Sequence, residues 1–250
     1  MKAKAVEMKQ SIIVKDDKGM ETWSAFHRDE GGNTYFLLDN EYAFLNVFSS
    51  AGNNYKNSEA WPLATLCNAS QRVCEKFGKR SLIPVTLDLM SLDGLDTYGT
   101  CKGNLFGILT LDMYRNNRRN IKVSNDIDFF LCTPDSTDKG QSEYRILFVR
   151  GGGDIDYCYC SRSSKYIRPF FILAPETEVE VVEEKQTLGI TFERTHRVYV
   201  EVKATAKEIE QLKNGDNPFH DMLEKELENG DIEDDYTVHD ANDRVIVDWG

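Results

Sequence analysis

The chain has few of the residues that carry chemistry in recognisable groups. Its four histidines stand at 27, 196, 220 and 239, and none has the close His-x-x-x-His spacing that places two imidazoles on one helical face for zinc. Gly-x-Ser-x-Gly, a phosphate-binding loop and a dinucleotide fingerprint are all missing, which removes the best-marked hydrolase and nucleotide-enzyme classes. No apolar run approaches the roughly 20 residues of a membrane-spanning helix. The first nine residues carry three lysines but no apolar core, so no secretory signal is expected. The six cysteines, at 67, 74, 101, 132, 158 and 160, are scattered. Without an export signal they read as reduced thiols and not as a disulfide scaffold. The expected setting is a host cytoplasm or a virion, without a membrane and without direct contact to nucleic acid.

What is present bounds the fold. Of 250 residues, 40% are hydrophobic and 11% aromatic, enough for a real core. The net charge is −12, unevenly spread: residues 190–250 hold sixteen Asp and Glu against seven Lys and Arg, a net of −9. This asymmetry predicts two domains, 1–175 and 190–250, with 176–189 as a linker. In that linker Glu alternates with Thr and Val after Pro175, a pattern that also suits an edge strand.

In the first domain, residues 11–14, 33–39 and 42–48 read as strands, with a turn at 16–19. Residues 50–57 form a polar Gly/Asn loop. Leu63, Leu66, Cys67, Val73, Cys74 and Phe77 recur at helical spacing and predict one helix over 62–79, with Pro62 in its first turn and Gly78 at its end. Cys67 and Cys74 are read as small buried hydrophobes of that helix. A second helix is expected over 110–117, capped by Thr110, and strands over 128–132, 144–150 and 166–173. Arg115, Arg118, Arg119 and Lys122 make one basic island, too small for nucleic acid and suited to ion pairs or a helix cap.

The most informative stretch is 149–171. A hydrophobic strand enters Gly151, Gly152 and Gly153, a polar and aromatic segment follows, and Arg168 and Pro169 lead into another hydrophobic run. Asp154, Asp156, Tyr157, Tyr159, Ser161, Arg162, Ser163 and Ser164 lie between. Tyrosine gives large contact area at low entropy cost, and Ser and Asp give adaptable hydrogen bonds. These eight are the candidate ligand-binding residues, on a scaffolded loop with no catalytic pattern.

The early helices, the run Phe129–Ser136, the glycine-rich segment and the run Tyr166–Leu173 together resemble bacterial and phage families of C-type-lectin-like fold. The nearest pattern is that of the family carrying Trp-Trp-Leu-Arg-Ser-Pro and, later, Gly-Val-Arg-Pro-Ala. Leu109 to Tyr114 is similar to that family's Leu-Ser-x-x-Glu-Tyr. Here Phe129 and Phe130 stand for the two tryptophans, and Cys132 and Thr133 for Arg-Ser. The resemblance covers about residues 10–175 and implies an α+β domain of short antiparallel strands and two helices. The same fold serves formylglycine-generating enzymes, in which two cysteines bind copper, and retroelement variable proteins, in which Arg-Gly-Gly precedes a patch of Asp, Tyr, Ser, Cys and Arg. The second comparison matches residues 150–164 better, because Cys158 and Cys160 are only two apart and the enzyme's cysteines about five. No cofactor is therefore expected, and a copper oxidase is a minor alternative.

The last sixty residues alternate at Val198, Val200 and Val202, a strand over 195–204. Helices follow over 205–213 and 218–228, then a hairpin of 235–240 with 244–249. This order is similar to the small DpnD/PcfM-like domain of phages and mobile elements, a family with no chemistry to transfer. So acidic a surface repels DNA and attracts basic proteins. The resulting expectation is a non-catalytic recognition protein of a phage or mobile element, presenting residues 154–165 to a protein or glycan. The alternative is an inhibitor whose acidic C-terminal domain captures a basic host protein.

Overall fold

A computed structural model describes residues 1–161, 164–182, 186–192, 198–220, 222, 236–239 and 244–249. The fold is α+β, with mostly antiparallel sheets, and the chain forms two compact units, Met1–Val182 and Glu183–Gly250. No helix among the described residues is long and apolar enough to cross a membrane.

The first unit begins with β1 (Ser11–Lys15), β2 (Met20–Arg28), β3 (Thr34–Leu38) and β4 (Phe44–Val47). Helices α1 (Ala60–Leu66) and α2 (Asn68–Phe77) follow, then the short strands β5 (Leu82–Ile83), β6 (Val85–Asp88), β7 (Thr100–Asn104) and β8 (Phe106–Gly107). Helix α3 (Leu111–Asn117) leads to β9 (Phe129–Pro134), β10 (Arg145–Val149), β11 (Ile155–Tyr159), β12 (Ser164–Ile167) and β13 (Phe170–Leu173). One sheet has the order β1-β2-β3-β13-β5, with β8 also on β13; the other runs β11-β10-β9-β12-β4; β6 and β7 pair separately.

Alternation along β13 explains the layering. Phe170 and Ile172 pack with Phe129, Phe130, Ile146 and other residues of the second sheet, whereas Phe171 and Leu173 join Trp23, Phe36 and Val73 of α2. Successive side chains of a strand face opposite sides, so one wholly buried strand feeds two cores.

Two expected elements are each divided. The run 166–173 is two strands in different sheets, because Pro169 has no N–H to continue a ladder and the chain crosses between sheets at Arg168 and Pro169. The helix expected over 62–79 breaks at Cys67, whose ψ is 156°. Ser70 Oγ donates to the Ala64 carbonyl at 2.7 Å, closing the end of α1 and letting α2 turn towards β1. Gly78 ends α2, and Thr110 Oγ caps α3 by accepting from the Met113 N–H at 3.1 Å.

The segment expected to start a linker is ordered against the first unit as far as Val182. The Ile13 N–H donates to the Glu180 carbonyl at 2.8 Å, and the Val182 N–H to Ser11 at 2.8 Å. Glu178 pairs with Lys2, and Glu180 with Lys15. Backbone hydrogen bonds make the segment an edge, and its glutamates meet lysines of the N-terminal segment and of β1. At the other end of the expected linker, residues 186–189 already belong to a strand.

In the second unit β14 (Gln186–Phe192), β15 (Val198–Ala204), β16 (Tyr236–His239) and β17 (Val245–Trp249) form an antiparallel sheet of order β15-β14-β16-β17. Helix α4 (Ala206–Lys213) starts with a reciprocal capping box between Thr205 and Glu208. Most of the helix expected over 218–228 lies outside the described residues, as does the turn at 241–243.

Where the chain crosses between sheets, Arg168 is 1% exposed. Its Nε donates to the Leu38 carbonyl and its Nη1 to the Lys122 carbonyl, both at 2.9 Å. The guanidinium lies 4.9 Å from the Phe129 ring centre. Burial pushes its pKa down to about 10, opposed by the charge of Asp39, so it stays protonated at neutral pH. Arg168→Ala would remove both hydrogen bonds and the packed guanidinium, leaving the Lys122 carbonyl only the long contact from Asn40 Nδ2 at 3.5 Å, and is expected to cost about 3 kcal/mol of stability; urea unfolding of the full chain measures this.

Candidate ligand-binding surface

The three glycines make a tight hairpin from β10 into β11. The Arg150 N–H donates to the Asp154 carbonyl at 2.7 Å, and the Gly153 N–H to the Arg150 carbonyl at 2.9 Å. A Cβ on Gly151 would sit 2.0 Å from the Asn125 carbonyl oxygen, so only glycine allows this approach. Gly153 has φ +98°, and its carbonyl accepts from the Tyr114 hydroxyl at 2.7 Å. From the third side, Asp128 accepts from the Gly151 N–H at 2.8 Å and from Lys165 Nζ at 2.7 Å. Burial alone would raise the Asp128 pKa. The Lys165 ammonium and the Gly151 N–H outweigh it and hold the carboxyl below its usual 3.8.

Beyond this turn the expected loop is a strand. β11 is the outer strand of its sheet and pairs with β10 from Val149 opposite Ile155 to Arg145 opposite Tyr159. Ile155, Tyr157 and Tyr159 therefore share one side, and Asp156 and Cys158 the other. Tyr157 and Tyr159 are 48% and 46% exposed. The Arg145 guanidinium packs on both, 4.8 Å from the first ring centre and 5.8 Å from the second. It also donates to Tyr159, which raises its already high pKa, and lies 3.8 Å from Asp135. Such stacking fixes a planar cation without removing it from solvent.

Arg145 is itself held from behind. Asn53 is fully buried, and its amide donates to the carbonyls of Arg145 and Ser136, each at 2.8 Å, while its oxygen accepts from the Tyr98 hydroxyl at 2.8 Å. One side chain of the polar Gly/Asn loop thus pins the loop that precedes β10.

Of the expected site residues, Tyr157 and Tyr159 come together around Arg145. Asp156 is on the opposite side of the strand, in an ion pair with Arg150, and its other oxygen accepts from the Tyr157 N–H at 2.8 Å. Exposed Asp154 pairs with Arg118 at 3.5 Å, so one member of the basic island serves the hairpin. Ser161 is exposed just after β11, and Ser164 is in β12, opposite Val47. Arg162 and Ser163 lie outside the described residues. Sequence reasoning missed Arg145 and Asn53. An Arg directly before the four buried hydrophobic residues Ile146–Val149 is ordinary until the hairpin register places it opposite Tyr159.

Cys158 is half-buried and Cys160 fully buried. Burial pushes the Cys158 thiol up to about 11 and raises Cys160 as well. Soft-metal ligation needs thiolates, and no cluster of three or more His, Cys, Asp or Glu suited to a metal occurs among the described residues. Burial therefore opposes the thiolate state of this pair in the metal-free chain. Comparison with protein-family models, curated proteins and solved structures finds no match for this chain.

Two outcomes are expected. Gly151→Ala should destabilise the first unit by about 2 kcal/mol or more, because the clash is with backbone and not with a movable side chain; thermal unfolding measures it. Asp128, with its pKa lowered on folding, contributes stability above pH 3.8 that is lost as the pH falls through its depressed value. The Gly151 amide resonance should therefore shift on acidification below that point, and Asp128→Asn should abolish the shift.

Proposed function

We propose that this protein is a non-catalytic recognition protein of a phage or mobile element, acting in the host cytoplasm or as part of a virion. In this reading the first unit is a C-type-lectin-like domain that binds a protein or glycan through the edge of β11. The observation that carries it is the pair of half-exposed tyrosines clamped on Arg145. Tyr and Arg are the residue types that most often dominate binding energy, and a side chain immobilised beforehand loses little entropy on contact. The buried supports behind them, Asn53 and the glycine turn, fit a surface kept rigid for recognition. The eight residues first expected to bind contribute unequally. Tyr157 and Tyr159 make the contact, Arg145 joins them, and Asp154 and Asp156 orient the strand.

A second reading has its own observation. The compact unit Glu183–Gly250 includes the stretch of net charge −9, and a surface of that kind suits a basic host protein.

Immobilised full-length protein, presented with a glycan array and with host lysate, tests both readings. Tyr157→Ala with Tyr159→Ala should abolish capture by the first unit at an unchanged unfolding temperature. Retained capture would sink the tyrosine surface. Captured protein that is released above physiological ionic strength, and is indifferent to the tyrosine variants, belongs to the acidic unit.

A further inference from the structure

Helix α1 presents a second concave surface that the tyrosine site does not use. Ala60 and Ala64, one turn apart, are fully buried against the core. The opposite side of the helix is therefore turned outward, and it is apolar: Trp61, Pro62 and Leu66 floor a groove of about 380 Å³. Leu66 is 65% exposed. Single exposed hydrophobics are common on protein surfaces, but contiguous ones in a concavity of small-ligand size are not.

The polar rim decides the chemistry. Lys56, Asn57 and Asn104 border the apolar floor, and among the described residues no carboxylate lines the groove. Lys56 forms no ion pair with any described residue, in a chain whose net charge is −12. Asn104 donates one of its two amide hydrogens to Cys101 Sγ at 3.3 Å and keeps the other. The Thr65 hydroxyl donates to the Trp61 carbonyl at 3.2 Å and the Ser58 hydroxyl to the Tyr55 carbonyl at 2.8 Å, so the helix and its lead-in consume their own hydroxyls. Among the described residues, what faces the groove is an apolar platform with Lys56, outside any ion pair, at its edge. We infer that this groove binds a small amphipathic anion, whose apolar body lies on Trp61, Pro62 and Leu66 and whose carboxylate meets Lys56.

Decanoate below its micelle concentration is the probe, titrated into the full chain and followed by tryptophan emission and calorimetry, with decylamine as the cationic counterpart. Saturable decanoate binding is expected, with decylamine much weaker. Lys56→Glu should weaken decanoate about five-fold or more, since it replaces attraction by repulsion at a partly exposed site, and Leu66→Glu should do the same by placing charge on the floor. Both positions are solvent-accessible, and circular dichroism verifies that each variant is folded; Lys56→Ala, expected to weaken binding less, replaces the reversal if it is not. Trp61→Phe should remove the emission change while calorimetric binding persists. Absence of saturation, equal affinity for decylamine, or affinity unchanged by the Lys56 and Leu66 variants would each overturn the inference.

Discussion

An enclosed guanidinium joins the two sheets of the first unit. Arg168 sits where the chain leaves one sheet for the other, and it ties together the end of β3, the segment after α3 and the Phe129 ring at the start of β9. A buried cation is expensive unless its surroundings answer it. Here the answer comes from two carbonyls, an aromatic face and the charge of Asp39, which accepts in turn from Ser11 at 2.8 Å and Thr22 at 2.6 Å. The hydroxyls that look out of place within β1 and β2 are explained by that carboxylate. With the crossing fixed, β12 and β13 have no freedom in register, and the strands beside them inherit their positions.

The tyrosine surface stands at the outer margin of this frame. Its rigidity comes from contacts behind it: Asn53 holds the Arg145 carbonyl, Asp128 holds the Gly151 amide and Tyr114 holds the Gly153 carbonyl. Asp156 adds a different control. By accepting from the Tyr157 N–H, it occupies a backbone donor on an outer strand, where free donors invite unwanted pairing with other chains.

Much of this frame was legible in the residues. β1, β3 and β10 carry enough apolar residues to read as strands, and Thr110 and Thr205 mark the starts of their helices through the ordinary capping chemistry of hydroxyls. β2 escaped because Thr22 and Ser24 interrupt its apolar pattern, and their reason, Asp39, is distant in sequence. β11 escaped because only Ile155 and Cys158 of it pack on the core, and the Tyr and Asp between and after them look like loop composition. The division at Pro169 was readable from the missing amide hydrogen. The break at Cys67 was not, since the apolar spacing runs through it unaltered. At the binding surface the tyrosines were visible from composition alone, whereas Arg145 and Asn53 act through pairings that only the register creates.

The strand order also sets a schedule for assembly. β13, the interior strand of the larger sheet, is contributed by residues 170–173, and the Met1 amine donates to the Val179 carbonyl at 2.7 Å across 178 positions of sequence. During synthesis the early strands therefore wait on the ribosome without their central neighbour, their apolar faces uncovered. Such distant pairings make folding slow. Completion of the larger sheet thus requires residues 170–173, far along the chain from the strands they join.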